Sequence, residues 1–390
     1  MHAEQSPSPI RTTESNWFAS NTMHSRLPKN IYNIIESNPD LSPADARRLE
    51  ALAEAIARNE VIPELTPPAP DYDDWMEQFQ SHSGERWHDT EWFFGETYAF
   101  RLILEACRYW EHNRDPFFYI KQKELEAGVA FEPVRNFSDV QAYDPVAPRE
   151  SLVRALHAST WGNRSDLSFS AGGELDREAG DAGLLIVNDD TVIADELLDT
   201  HAPVHIVMDN SGAELAGDLI LTLELIRHGL DVVLHVKLHP TYVSDTTVAD
   251  FHHFLETAAG SDDPRVHRYG RALRDAFEAA RITLAPDSFW CSTRFMTDMP
   301  ARIEHALGRA GMVIFKGDFN YRRVMRDTPW PADTPASAAT GGLDLPAVAL
   351  LRTMKSDVTW GISHKTAADL DAEDSTWRIN GRRGLIQRLS

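Results

Sequence analysis

Apolar and polar positions along this chain follow two different rhythms. From Trp17 to about residue 150 the apolar positions recur at helical spacing. Ser42 followed by Pro43 has the form of an N-cap with proline at the first helical position, and Leu49, Leu52 and Ile56 continue that apolar face. Residues 63–70, with a proline at each end, interrupt the pattern. A longer amphipathic segment over about residues 90–110 carries Trp92, Phe93, Tyr98, Leu102, Ile103 and Ala106 as a stripe that suits a core. Asp115-Pro116 opens another helix, and residues 132–149, with three prolines, read as a connector.

Beyond residue 150 the rhythm changes. Apolar runs at 184–187, 204–208, 232–236, 312–315 and 347–351 alternate with helical patterns at about 212–228, 246–258, 300–309 and 319–326, after a helix at about 150–158. Strands and helices joined by short links imply right-handed crossovers and a mostly parallel sheet with helices on both faces. The predicted fold is α/β, a three-layer α/β/α arrangement preceded by an all-helical N-terminal domain. Its divisions are a disordered Ser-, Thr- and Pro-containing leader over 1–14, a helical domain over 15–148 and the α/β/α domain over 149–390.

Charge and cysteine usage narrow the function. A formal net charge of -22 over 390 residues argues against nucleic acid as a partner, which requires concentrated positive charge, while leaving room for a small anionic ligand. No apolar run approaches the ~20 residues of a membrane span, and the start of the chain has no secretory signal pattern. Cys107 and Cys291 are the only cysteines and have no CxxC or Cys/His neighbour, which fits a reducing compartment; the cytoplasm is the expected location. Oligomeric state is not legible.

Candidate chemistry gathers just past the strand ends, where open parallel sheets bind ligands. The run 204–208 stops at Asp209-Asn210, and Ser211 and Glu214 then have capping-box spacing at the start of a helix. A carboxylate beside a carboxamide offers hard oxygen ligands for a divalent cation, and the same four letters Asp-Asn-Ser-Gly are also ordinary turn chemistry. Asp245 reads either as a third oxygen ligand or as a helix N-cap. His235, Lys237 and His239 alternate, so they share one face of a strand, more in keeping with a half-exposed surface than with zinc. In Lys316-Gly317-Asp318-Phe319-Asn320-Tyr321-Arg322 a glycine relaxes the backbone where a helix begins, so free amides and two basic groups can meet an oxyanion. Arg352-Thr353-Met354-Lys355 places two cations around a hydroxyl at the last strand end, a phosphate-clamp pattern. Asn163, Arg164 and Asp166, in the loop after the 150–158 helix, read as loop hydrogen-bonders.

Taken in order, these segments resemble the damage-control phosphatase family. The matching stretches are Arg26-Leu-Pro28, Trp161-Gly-Asn-Arg-Ser-Asp-Leu-Ser168, Asp209-Asn-Ser-Gly-Ala-Glu214, His235-Val-Lys237 with Val243-Ser-Asp245, and Phe315-Lys-Gly-Asp-Phe-Asn-Tyr-Arg322. Arg352-Thr-Met-Lys355 is similar to the Arg-Thr-x-Lys signature of its third subfamily, the metal-dependent sugar-phosphate phosphatases related to acidic-residue methyltransferase-like proteins. The resemblance implies that Asp209, Asn210 and Asp245 hold one Mn²⁺, Mg²⁺, Co²⁺ or Ni²⁺ and serve catalysis. It further implies that Asp318, Phe319, Asn320, Tyr321, Arg322 and Lys355 contact a phosphosugar, with Asn163, Arg164, Glu214 and Lys316 as further substrate-binding candidates. The implied activity is hydrolysis of small phosphate monoesters such as fructose 1-phosphate or fructose 6-phosphate. Two rival readings use the same features. One is methyl transfer from S-adenosylmethionine to a protein carboxylate, although Ala171-Gly172-Gly173 precedes the first strand where a cofactor loop should follow it. The other is sugar-phosphate binding without turnover.

Overall fold

Seven strands, β1 (Leu185–Asn188), β2 (Val204–Val207), β3 (Val232–His235), β4 (Ile282–Leu284), β5 (Met312–Lys316), β6 (Val348–Thr353) and β7 (Gly384–Leu389), form one sheet in the order β1-β7-β6-β5-β2-β3-β4. This computed structural model describes residues 7–137, 147–162 and 184–389. All neighbouring strands pair in parallel except β6 with β7. The chain lays down β2, β3 and β4 outward in one direction, then returns to place β5 on the other side of β2. The β2/β5 junction is therefore the topological switch point, where helices leave the sheet on opposite faces and open a crevice at the strand ends.

Burial on both faces explains the near-continuous apolar strands. On β2, β5 and β6, Val207, Phe315 and Leu350 face one core, whereas Ile206, Ile314 and Leu351 face the other. The second core is closed by helices of the α/β region, among them Pro148–Trp161, Ala213–Arg227 and Val248–Ala259. The first core is shared with the N-terminal helices: Ile31, Leu49, Trp92 and Ile103 belong to the same buried cluster as Val207 and Phe315. The N-terminal region is thus helical, as its periodicity predicts, and it covers one face of the sheet.

Three expectations are corrected. The leader expected over 1–14 ends early, because Ile10 and Thr12 are buried: Ile10 N–H donates to Asp327 O at 2.9 Å and Thr12 N–H to Thr90 O at 2.9 Å. The strands β4 and β7 and the Pro264–Glu278 helix are additional to the predicted elements. His235, Lys237 and His239 do not lie on a half-exposed face; all three are buried, and His235 Nε2 lies 2.9 Å from His205 Nδ1 across β2 and β3. Burial, with His205 second, pushes the His235 imidazole down to about 3.

Candidate metal and phosphate site

Parallel register brings the first two parts of the site together. Val207 of β2 pairs with Phe315 of β5, so two residues further on Asp209 lies beside Gly317. The approach is so close that a Cβ at Gly317 would fall 1.8 Å from Asp209 Oδ2, and Gly317 takes φ +79. Only glycine meets both demands.

Asp245 arrives from the loop after β3, which runs back across the rim. Thr246 N–H donates to Asp209 O at 2.8 Å, Ser211 N–H to Ser244 O at 2.6 Å, and Lys237 N–H to Thr246 O at 2.9 Å. These bonds set Asn210 opposite Asp245 in an antiparallel bridge, which turns directly opposed side chains to the same side. Asp245 is therefore no helix cap; Thr247 caps the following helix, in a capping box with Asp250. Asn210 Nδ2 donates to Glu214 Oε2 at 2.9 Å and to Asp209 Oδ2 at 3.3 Å, and its Oδ1 accepts from Ser244 Oγ at 2.6 Å. The Ser211/Glu214 capping box does not form: the N-cap is Gly212, and Glu124 Oε1 accepts the Ala213 N–H at 2.8 Å instead. Glu214 is thereby left to face Asn210 and Lys316.

The electrostatics of this rim are unbalanced. Burial raises the Asp209 carboxyl well above the ordinary range, and Glu214 and Asp245 push it further, against the pull of Lys237 and Lys355. Asp245 is also raised, by burial, with Lys237 opposing. Its Oδ2 is 3.2 Å from Lys237 Nζ, and that ammonium also donates to Trp290 O at 2.8 Å. Deeper in, Lys316 Nζ donates to Ser159 O at 2.6 Å and pairs with Asp218 Oδ1 at 3.1 Å. Burial carries Asp218 up to about 7 even beside that lysine.

Two buried carboxylates that repel one another and an adjacent carboxamide fit a hard divalent cation. A half-turn of the Asn210 carboxamide would present its oxygen to the Asp209 side and leave Ser244 Oγ an acceptor for the amide hydrogens. Among the described residues no group of three or more His, Cys, Asp or Glu side chains could hold a metal ion. The oxygen donor set here contains Asp209 and Asp245 with Asn210 as the carboxamide.

The remaining predicted contacts divide sharply. Lys355 is exposed at the mouth, and its charge is felt by Asp209. Asp318 Oδ1 accepts Lys355 N–H and Ser356 Oγ–H, both at 3.1 Å, and lies 3.3 Å from Arg352 Nη1, so it ties the β5 loop to the β6 loop. Asn320, Tyr321 and Arg322 do not face the rim. Asn320 Nδ2 donates to Met208 O at 3.0 Å and Lys316 O at 2.8 Å, which joins the ends of β2 and β5. The Tyr321 hydroxyl accepts Trp360 N–H at 3.1 Å beneath the Arg352 guanidinium. Arg322 is turned to the N-terminal helices, bonding Asp327 Oδ1 at 2.7 Å and Glu96 Oε2 at 2.9 Å over the Trp92 ring. Burial opposes its charge, but Asp327 and Glu96 more than restore it. Phe319 stacks on Phe93 at 4.8 Å and supports Lys237 Nζ 4.4 Å above its ring. Asn163 and Arg164 lie outside the described residues.

Four neighbours of the site are additional to the predicted contacts: Lys237 as partner of Asp245, Asp218 and Ser159 around Lys316, and Glu124 at the Ala213 turn. Lys237 carried a usable signal, two residues past a strand end. Glu124 carried none, since its contact is 89 residues away in the chain.

Residues 22–370 match the model of the damage-control phosphatase ARMT1-like domain. The chain is similar to the damage-control phosphatase ARMT1 of Danio rerio, 27% identical over 376 residues covering 87% of this chain and 84% of that protein. It is similar to that of Rattus norvegicus, 29% identical over 335 residues covering 77% and 75%. A DUF89 family protein from Pyrococcus horikoshii shares the fold, with a TM-score of 0.52 at 14% identity, covering 94% of this chain and 98% of that one.

Proposed function

The chain belongs to the ARMT1-like damage-control phosphatases, and on that premise we propose that it hydrolyses small sugar phosphates at the β2/β5 rim with the help of one divalent cation. Dependence on a divalent metal is general in the family. Asp209, Asn210 and Asp245 would hold the ion, which when bound supplies a Lewis acid for a phosphoryl oxygen and for the attacking water. The observation that carries the reading is the pair of buried, mutually repelling carboxylates Asp209 and Asp245 with an exposed ammonium, Lys355, at their mouth.

The chain's own groups have separate tasks. Lys355 meets the incoming phosphate, and the first-turn amides of the Gly317–Val324 helix, which has no side-chain cap, donate to equatorial oxygens. Lys237 holds Asp245, and Phe319 holds Lys237. Water adds to phosphorus as the bond to the sugar oxygen breaks, and the alcohol leaves with a proton. The ion is Mn²⁺, Mg²⁺, Co²⁺ or Ni²⁺ and the substrates are fructose 1-phosphate or fructose 6-phosphate, as in the third subfamily that the Arg352-Thr-Met-Lys355 signature resembles. Both cysteines are free and buried, which suits a reducing compartment, and the cytoplasm is the proposed location.

The deciding experiment measures phosphate release from p-nitrophenyl phosphate, fructose 1-phosphate and fructose 6-phosphate with each of the four metals and with chelator. Release that needs metal is expected. Failure to turn over any of the three, together with tight metal-independent binding of S-adenosylmethionine, would overturn the proposal. Lys355→Ala tests the phosphate contact separately. Losing one charge-assisted contact should lower kcat/KM by about tenfold, mostly through KM, without a change in melting temperature. Unchanged steady-state parameters would remove Lys355 from the phosphate-binding set.

A further inference from the structure

The Phe118–Glu126 helix belongs to the N-terminal region, yet two of its side chains end on the first turns of the helices that follow the Asn210 and Asp245 loops. Lys121 and Glu124 are three residues apart and so share one helix face. Glu124 Oε1 accepts the Ala213 N–H at 2.8 Å, in the first turn of the helix that begins just after Asn210. Lys121 Nζ donates to Asp250 Oδ2 at 2.7 Å and pairs with Asp115 Oδ2 at 2.6 Å. The same Asp250 oxygen accepts the Thr247 N–H at 2.9 Å and the Thr247 hydroxyl at 2.7 Å, and Thr247 stands two residues after Asp245. One helix therefore grips the starts of both helices that follow the two ligand loops.

The loops do not supply this themselves. The Ala213–Arg227 helix has no side-chain cap from its own N-cap residue, which is Gly212 at φ +70. The Glu124 carboxylate comes so near that a Cβ at Gly212 would fall 2.2 Å from Glu124 Oε2. Lys121 is buried and stays charged: burial works against its ammonium, and Asp115 and Asp250 hold it above the ordinary lysine value. A buried lysine between two carboxylates is a poor way to pack a helix, where an apolar side chain would serve as well or better. It is an effective way to fix a distance, because both bonds are short and directional.

We infer that Lys121 and Glu124 are positioning residues which set the separation of the Asn210 and Asp245 loops from the N-terminal helices, and thereby the affinity of the site for its divalent cation. The inference rests on the proposed ligand set Asp209, Asn210 and Asp245. It assigns to these two residues an outer-shell role: they touch neither ion nor substrate, and they lower the cost of bringing the ligands together.

The test uses the full chain and Mn²⁺ alone as the probe, with Lys121→Met, Lys121→Arg, Glu124→Ala and Asp209→Asn measured beside the wild type. Calorimetric titration should show the Mn²⁺ dissociation constant of Lys121→Met and Glu124→Ala raised by about tenfold or more, in the range of outer-shell substitutions, and largely restored in Lys121→Arg. Phosphate release at saturating Mn²⁺ should return to within about twofold of wild type, since the ion, once bound, draws the loops to the same geometry. Damage to the fold in general would not be repaired by metal, so a rate that stays low at saturation overturns the inference. Unchanged Mn²⁺ affinity in both variants, with Asp209→Asn no longer binding, overturns it while leaving the ligand set intact. Mn²⁺ binding by Asp209→Asn at wild-type strength sinks the ligand set, and the inference with it. If Lys121→Met does not fold, Glu124→Ala decides alone.

Discussion

Asp209→Asn is expected to abolish metal-dependent phosphate release, by about a thousandfold or more, while leaving the metal-free protein folded and at least as stable as the wild type. The activity loss follows from the proposed ligand role: a Lewis acid contributes several kcal/mol of transition-state stabilisation, and each ~1.4 kcal/mol is a factor of ten in rate. The stability gain follows from the carboxyl's surroundings. Burial first, then Glu214 and Asp245, raise its folded-state value well above that of the unfolded chain. A group raised in this way contributes stability while it is protonated, and loses that contribution as pH rises through the folded-state value. At neutral pH without metal the wild type carries this penalty and the carboxamide does not. The melting temperature of Asp209→Asn should therefore match or exceed that of the wild type at pH 7 with chelator, and the difference should shrink as the pH falls towards 4. Added Mn²⁺ should raise the wild-type melting temperature and leave the variant's unchanged. Full activity in the variant would show that Asp209 holds nothing the reaction needs.

What the sequence makes legible here follows a physical division. Strands buried on both faces announce themselves as apolar runs, and so β2, β3, β5 and β6 stand out at Val204, Val232, Met312 and Val348. The edge strand β4 has three residues with an exposed Thr283 in the middle, too short to carry a pattern. In β7 a buried Gln387 interrupts the apolar run because it is paired: its side chain donates to Trp360 O at 3.1 Å. The position of Asp209 and Asn210 at the rim is legible because a strand end at a switch point is defined by topology. The roles of Asn320 and Arg322 are not, since helix spacing alone does not say whether a polar residue turns to the rim, to the sheet or to the N-terminal layer. Arg322 is settled by Glu96, Asp327 and the Trp92 ring, all supplied by distant segments.

The same division hides how the N-terminal layer reaches the proposed site. Trp92 and Phe93 start the Trp92–Ala106 helix, and Phe93 stacks on Phe319, which supports Lys237, which pairs with Asp245. A second connection runs from Lys121 and Glu124 to the first turns of the helices that follow the Asn210 and Asp245 loops. Both begin in helices whose periodicity reads only as core.

The sharpest local constraint is Gly317, and Gly317→Ala should cost a large part of the activity, though less than removing the Asp209 charge. Two effects act together. At φ +79 an alanine is strained, at roughly 1 kcal/mol for the left-handed conformation alone. The added methyl would also stand 1.8 Å from Asp209 Oδ2, far inside contact distance, and something must move. The β5 backbone cannot yield easily, because Lys316 is tied to Ser159 O and Asp218 and its carbonyl accepts from Asn320. The Asp209 side chain is the softer partner. It should rotate away from Gly317 and away from Asp245, and a displacement of about 1 Å at a reacting centre is worth about a hundredfold in rate. Gly317→Ala is thus expected to lower kcat/KM at least a hundredfold and to weaken Mn²⁺ binding, with the melting temperature of the metal-free protein lowered by only a few degrees. Near-normal Mn²⁺ affinity and turnover in this variant would mean that the Asp209 carboxylate works from a different rotamer, and that the approach to Gly317 is incidental to the site.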